Sequence, residues 1–542
     1  MKLINKFFIC VLAVASPLAG CDTDALHDLN VNPQAVDEID LNYLFTAAEL
    51  GSAAGGSGGD NRYIDWRTNI GFAAHAIQQL AHVQGSPGIA PGDKYTDNTE
   101  SYNAPWEFMY GDQLKNLAEI IKQTGPGGYD DGEKSNLRNA ARILAVFNFH
   151  RLTDFYGNIP YTEANKGMGG TDGSAGILFP KYDTQQAVYQ DMLKELDEAA
   201  AALSASDPDQ GFKNGDIIYD GDVTKWKKFA YSLMLRLAMR VSFVDQNLAE
   251  TYIAKAVTGG VFTSNSDNPY VKMALAPSEW TNQNGISRAF YPGDGGQVSY
   301  LSKTLIDMLK GPNTGSTVDD DPRLMIISGG KATWSATTWT PTDVNPLTQK
   351  GLPNGQDQAS LNALEGKTVN LDAEYSKINF LLLQDDEPYQ LMNYAEAELL
   401  LAEAAERGLG DVTDAQGHYE AGVKGAMQMY TPYDASLAVS DAAVTNYLAE
   451  RPYTGTTDEK LEMIGNQLWL SKFLNWWEAW SDWRRTGYPV LTPVNFTGNV
   501  TNGTIPVRLR YQNGEVAINP NYATGATLPD EPTTKVWWDV QD

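Results

Sequence analysis

The sequence has 542 residues, 42% of them hydrophobic and 20% charged, a composition that can bury a large core and excludes a disordered chain. Its formal net charge of -28, with no basic run longer than two residues, repels phosphate and excludes a nucleic-acid-binding surface. After residue 20 no apolar run approaches the roughly 18 residues that a membrane span needs.

The N-terminus carries the first motif. "MKLINK" is a positive n-region, "FFICVLAVA" a short apolar core, and "LAGC" a cleavage box ending in Cys21, which together read as a bacterial lipoprotein signal. Residues 1–20 are then removed, and the Cys21 thiol carries diacylglycerol. The other cysteine, Cys10, goes with the signal, so no thiol is left to pair. Each buried CH2 of an acyl chain contributes about 0.8 kcal/mol of membrane affinity. Residues 21–40 are polar and contain Pro33, as expected of an extended lead. With no Pro-rich or Ser-rich divider beyond them, residues 41–542 are expected to form one domain.

Apolar residues then recur at helical spacing over 41–50, 65–83, 104–122, 135–156, 184–203, 224–244, 248–257, 392–407, 415–430, 441–449 and 457–485. The clearest strand signal is "INFLLL" at 378–383. The segment "YAEAELLLAEAAERGLGDVTDAQGHYEAGVKGAMQMY" at 394–430 places small residues at helical spacing on both sides of a Gly-containing turn. That pattern resembles a tetratricopeptide helix hairpin, though its period is not kept elsewhere. Residues 259–387 are instead rich in Gly, Pro, Asn, Ser, Thr and Trp, too long for a plain connection, which makes about 259–390 the expected ligand region.

The stretch "LNWWEAWSDWRRTGYP" at 474–489 holds four tryptophans. Trp469, Phe473, Trp476, Trp477 and Trp480 fall on one stripe of a helix, extended by Trp483, between a capping box at Thr456 and Glu459 and a stop at Gly487. Five or six rings, each worth about 150–250 Å2, are too much apolar surface to leave in water, so they are expected in the core.

Catalytic spacings are sparse: there is no H-E-x-x-H, no phosphate loop and no thiol outside the signal and lipid site. The expectation is a binding protein without cofactor or metal. A glycoside hydrolase stays open, because its two carboxylates need not be close in sequence and 68 acidic residues offer many pairs. The acidic clusters "DDDPR" and "QDDEP" read as solvated turns or weak calcium sites, and His75 and His82 receive no role.

The segment 465–491 containing "EAWSDWRRTGYP" resembles the C-terminal signature of the SusD/RagB-like outer-membrane lipoproteins. Three other segments agree: "RILAVFNFHRLTDFYGNIPYTEA" at 142–164, "NYAEAELLLAEAAERG" at 393–408, and "IPVRLRYQNGEVAINPNY" with the closing "VWWD". Asn158 stands where the family usually has Asp, a conservative turn change. The resemblance implies a mainly α fold of tetratricopeptide-like hairpins with a long irregular loop region and few short strands. It also implies the outer face of the outer membrane, a SusC-like TonB-dependent transporter as partner, and oligosaccharide or, in some members, peptide as cargo. Sugars stack on aromatic faces and bond to polar side chains. The candidate contacts are therefore Tyr95 with Asn98 and Tyr102, Trp280 with Asn282 and Arg288, and Trp334 with Trp339, each with ordinary packing as its alternative role.

Overall fold

The computed structural model describes residues 38–54, 63–83, 92–206, 212–277, 281–290, 299–313, 315–335 and 338–540. The lipid-signal segment and Cys21 lie outside them. The chain divides into a leading unit, Met1–Leu41, and a body, Asn42–Asp542.

Helices dominate the body. In chain order the main ones are α1 (Leu41–Ala54), a π-helix (Asp65–Ala74), α2 (Thr99–Gly111), α3 (Gln113–Gln123), α4 (Ser135–Tyr156), α5 (Gln185–Ala202), α6 (Val223–Arg240), α7 (Gln246–Gly259) and the short α8 (Gly285–Phe290). They are followed by α9 (Tyr394–Arg407), α10 (Ala415–Gln428), α11 (Asp441–Glu450), α12 (Thr457–Ser471) and α13 (Trp476–Thr486). Strands are few and short: β1 (Leu80–Ala81) with β3 (Tyr300–Leu301), β2 (Tyr270–Val271) with β7 (Tyr389–Gln390), and the sheet β5-β4-β6, formed by Thr338–Asp343, Ser328–Ser335 and Lys377–Ile378.

Local chemistry sets many helix starts. Thr184, Asp222, Asp245 and Asn393 each accept a backbone N–H of the turn they cap, and Thr456 with Glu459 completes both halves of a capping box, satisfying donors that a helix start leaves open. Neighbouring helices pair into hairpins, α4 on α5, α6 on α7 and α9 on α10, with α5 packed on α6 and α6 on α9. The α9–α10 pair packs closely. A methyl at Gly422 would come within 2.6 Å of Leu399, and one at Gly425 within 2.9 Å of the Tyr394 ring, so glycine is what lets these backbones approach. Gly408 ends α9 in the left-handed region, where no Cβ penalty arises.

The tryptophan stripe is core. Trp476 and Trp480 are fully buried, Trp469, Phe473 and Trp477 nearly so, and Trp483 is half-buried. Trp480 lies edge-on to Phe72 at 5.3 Å, stacks on Phe155 at 6.2 Å and donates its indole N–H to the Pro506 carbonyl.

Four element expectations are corrected. The helix foreseen over 457–485 is two, α12 and α13, broken where Leu474 adopts a positive φ. The Asn69 side chain explains the break: its amide N–H donates to the Leu474 carbonyl while its oxygen accepts the Trp477 N–H, so a residue some 400 positions away satisfies both freed groups. The segment 104–122 likewise splits at Asp112 into α2 and α3, and 65–83 forms a π-helix whose continuation stops where Gln78 takes a positive φ ahead of β1. "INFLLL" contributes only its first residue to β6. The Asn379 side chain accepts the Leu381 N–H and turns Phe380–Leu382 into a 3-10 turn.

Between α4, α6, α9 and the α12–α13 break lies a buried network of ion pairs. Arg236 grips Glu396 with two bonds of 2.6 and 2.7 Å, Arg240 pairs with Glu478, and Lys472 pairs with Glu396 and Asp482. Arg485 grips Glu403 at 2.6 and 2.7 Å, and Arg407 reaches the same carboxylate at 2.8 Å. Burial pushes the Glu478 carboxyl up, but Arg236 and Arg240 outweigh it and hold it well below the carboxylate range. Burial lowers the Lys472 ammonium to about 8 and keeps His150, 3.3 Å from Glu478, below the usual histidine range.

Removing one partner of such a network leaves the others buried and unpaired. Glu478→Gln should therefore cost about 3–5 kcal/mol in denaturant unfolding, and Trp480→Ala about as much through the cavity it opens. A wild-type midpoint in either variant would contradict this account of the core.

Candidate functional site

The ligand expectation concerned loops, and the described loops resolve into small, firmly held pieces. Next to the π-helix packs α8, six residues between 278–280 and 291–298, which lie outside the described residues together with Trp280. The acidic turn "QDDEP" fastens α8. The Asp385 carbonyl accepts the Asn284 N–H at 2.7 Å, its carboxylate accepts the Ser287 hydroxyl and lies 3.8 Å from Arg288, and the Glu387 carbonyl accepts the Asn284 side-chain amide. What the sequence offered as a solvated acidic turn is a clamp. Burial, with Asp386 and Asp434 nearby, pushes the Glu387 carboxyl up to about 7.

Tyr95, Asn98 and Tyr102 correct the sequence expectation, since all three are buried inside the packing. Tyr95 is 2% exposed, its hydroxyl accepts the Val494 N–H and its carbonyl the Val500 N–H, and burial raises its phenol to about 12. Asn98 caps α2 by accepting the Ser101 N–H at 3.1 Å. Tyr102 is 3% exposed, sits edge-on to Phe72 at 6.0 Å and accepts the Tyr156 hydroxyl on its carbonyl. Rings buried this deeply present no face to a sugar. Arg288, 8% exposed, lies in α8 with its guanidinium 3.8 Å from Asp385. Asn282 is half-buried, its carbonyl accepting the Ala274 N–H at 2.8 Å.

The hairpin β4–β5 is the piece that still presents an aromatic. Trp334 stands opposite Trp339 in the register. The half-buried Trp339 ring is stacked on Phe380 at 5.9 Å and 10° between planes, and the Lys377 ammonium lies 5.5 Å from its centroid. Lys377 is itself buried, donating to the Ala332 carbonyl and to Asp372, with its pKa lowered by burial. The ammonium thus fixes β4, β6 and the ring over them. Sequence reasoning missed Phe380 because "INFLLL" looked like a strand. Asn379, the residue that starts its turn, was the available signal.

Beneath these pieces the π-helix begins at Asp65, which is fully buried. Tyr389 donates its hydroxyl and Asn69 its amide N–H to one carboxyl oxygen, and the other oxygen is buried without a hydrogen-bond partner. Desolvation raises this carboxyl to about 7. The buried carboxylates Glu396, Glu478 and Asp482 also converge closely enough to suit a metal ion. Arg236, Arg240 and Lys472 already occupy that space with positive charge, so the donor set fits an ion-pair network and not a metal.

Comparisons with known proteins agree with this architecture. The SusD-like family model, described as "Starch-binding associating with outer membrane", matches residues 57–512. A solved chitin-binding protein is 32% identical, the match covering 93% of this chain and 100% of that one with a TM-score of 0.74. A Bacteroidetes AC2a SusD-like structure is 26% identical over 93% and 100%, TM-score 0.77, and a chitin-binding SusD homologue from Flavobacterium johnsoniae is 25% identical over 93% and 99%, TM-score 0.69. No curated protein matches the chain.

A carboxyl raised to about 7 in the folded state and near 3.9 when unfolded favours the fold while protonated. That contribution is complete below pH ~4 and is lost as pH rises through 7. Asp65→Asn mimics the protonated form, so its melting temperature should fall less between pH 5 and pH 8 than that of the wild type. Parallel pH profiles would show that Asp65 is ionised throughout.

Proposed function

Because the chain belongs to the SusD-like family, we propose that it is a cell-surface lipoprotein that binds oligosaccharide and passes it to a SusC-like TonB-dependent transporter in the outer membrane. The observation that carries the glycan reading is the 32% identity to a chitin-binding protein along 93% of this chain and all of that one. A second chitin-binding homologue at 25% identity supports the same ligand class. Oligomers of β-1,4-linked N-acetylglucosamine are therefore the first ligands to test.

The ligand contacts assigned to the chain are Trp280, Trp334 and Trp339, with Asn282 and Arg288 as polar partners. The stacked Trp339–Phe380 pair supports this. A ring already held in place by its neighbours loses little freedom when a sugar stacks on it, which is how preorganised aromatics gain affinity. The hairpins take the other role, as a broad and rigid surface for the transporter. Cys21 carries the lipid, and no helix among the described residues is long and apolar enough to cross a membrane, so the anchor supplies the attachment. The protein holds its ligand without cutting it.

Titration calorimetry with N-acetylglucosamine hexamer should show binding that Trp339→Ala weakens about tenfold or more while the melting temperature stays close to wild type. Heat only with peptides would move the protein to the peptide-binding branch, and shortened oligomers after incubation would make it a hydrolase. In cells, Cys21→Ala should shift the protein from the envelope to the soluble fraction. Retention of that variant in the envelope would overturn the lipid anchor.

A further inference from the structure

A recess lies between residues 317–325, Pro346 and one face of α11. It encloses about 330 Å3, the lower end of the roughly 300–1,000 Å3 of small-molecule clefts.

Its floor is built. Arg323, fully buried, takes both oxygens of Asp321 at 2.9 and 2.7 Å and donates to Gln467 of α12, whose amide donates on to the Tyr447 hydroxyl at 3.0 Å. Arg451 lies over the Tyr447 ring at 4.4 Å and donates to the Asp319 carbonyl. The floor side chains are thereby held to one another, and the recess does not need to be organised by its occupant.

The walls have three kinds of chemistry. Asp320, Asp321 and Glu450 bring carboxylates, and no lysine or arginine is among the described residues that line the recess. Asp321 is spent on Arg323, and Glu450 meets Arg451 only at 3.5 Å. Asp320 accepts the Gly311 N–H with one oxygen. The negative charge of the recess therefore rests on Asp320, whose second oxygen is buried without a hydrogen-bond partner, and on Glu450, whose ion pair with Arg451 is long. Thr317 and Asn446 add a hydroxyl and an amide, while Val318, Met325 and Pro346 supply apolar contact, Val318 standing 80% exposed at the rim.

An occupant that matches all three is a cation with an apolar face and hydroxyl groups. A lysine side chain would use the charge and the apolar wall but leave the hydroxyl and amide without a counterpart. We infer that this recess binds the protonated amine of a 2-amino sugar, that is, a glucosamine unit of a partly deacetylated chitin-type oligomer. Its ammonium faces Asp320 and Glu450, its C–H face lies on Met325 and Pro346, and its hydroxyls reach Thr317 and Asn446. This inference rests on the glycan reading above and adds a second, charge-selective contact to it.

The test compares two probes on the full-length protein at low salt, the hexamer of glucosamine and the hexamer of N-acetylglucosamine. Asp320→Asn and Glu450→Gln, each shape-conserving, should weaken the glucosamine hexamer about tenfold and leave the acetylated hexamer unchanged. Glu450 lies at the exposed end of α11, so Glu450→Gln gives a readout even where Asp320→Asn fails to fold. Unchanged affinity of both variants for the glucosamine hexamer would overturn the inference, as would equally tight competition by a lysine oligomer of equal charge. If the acetylated hexamer does not bind while the glucosamine hexamer binds and responds to the variants, the chitin reading fails and the recess stands.

Discussion

The structure depends on a charge balance in its interior. Arg236, Arg240, Lys472, Arg485 and Arg407 face Glu396, Glu478, Asp482, Glu403 and Asp154 where the hairpins meet the α12–α13 break. Taking any one of these ions out of water costs several kcal/mol, repaid only if the partner geometry is good. The arrangement is therefore better understood as selecting a packing than as adding stability. Sliding α6 one turn along α9 would leave Arg236 without Glu396 and Arg240 without Glu478, a penalty no rearrangement of the apolar side chains offsets. Alanine-rich helices such as α9 would otherwise pack in several registers, since small side chains discriminate poorly between ridges and grooves. The ions supply the discrimination.

The same geometry explains why a helix break sits beside the tryptophans. Lys472 must turn inward to reach Glu396 and Asp482, and a continuous helix through 472–475 would carry its backbone groups through that crowded point. The chain stops instead, and Asn69 takes up the Leu474 carbonyl and the Trp477 N–H. Trp476 and Trp480 then enter the core on a new axis, where Phe72 and Phe155 meet Trp480. The break, the π-helix that carries Asn69 and the aromatic core are one arrangement.

What could be read in advance follows from range. The capping box at Thr456 and Glu459, the glycine stop at Gly487 and the inward stripe of rings depend on neighbours within a turn or two, and the sequence holds them. The break at Leu474 depends on Asn69, and the inward placement of Tyr95 and Tyr102 on Val494, Val500 and Tyr156, contacts that no local pattern encodes. Tyr95 also looked like a binding residue because its surroundings, "GDKYTDNTESYN", are polar. Polarity marks a loop but does not say which side of it faces the protein. Asp385 was misread for the same reason, as an acidic residue in a turn whose partners, Asn284 and Ser287, lie about a hundred positions earlier.

The interior balance also bears on what the outside can recognise. A network in which five cations meet five carboxylates contributes nothing to the net charge, so the excess of acidic residues in a chain of -28 lies elsewhere. A surface of that sign disfavours anionic polymers at long range and is indifferent to neutral ones. On the glycan reading proposed above, neutral sugars are selected at contact distance, by ring stacking such as the Trp339 ring, itself stacked on Phe380, would provide. Charge can add discrimination only where carboxylates are concentrated and left without cations. The recess proposed beside α11 approaches that condition, because Arg323 is turned into its floor and Arg451 meets Glu450 only at 3.5 Å. On the two proposals together, stacking and charge are distinct contacts, and an oligomer that carries both features gains from each.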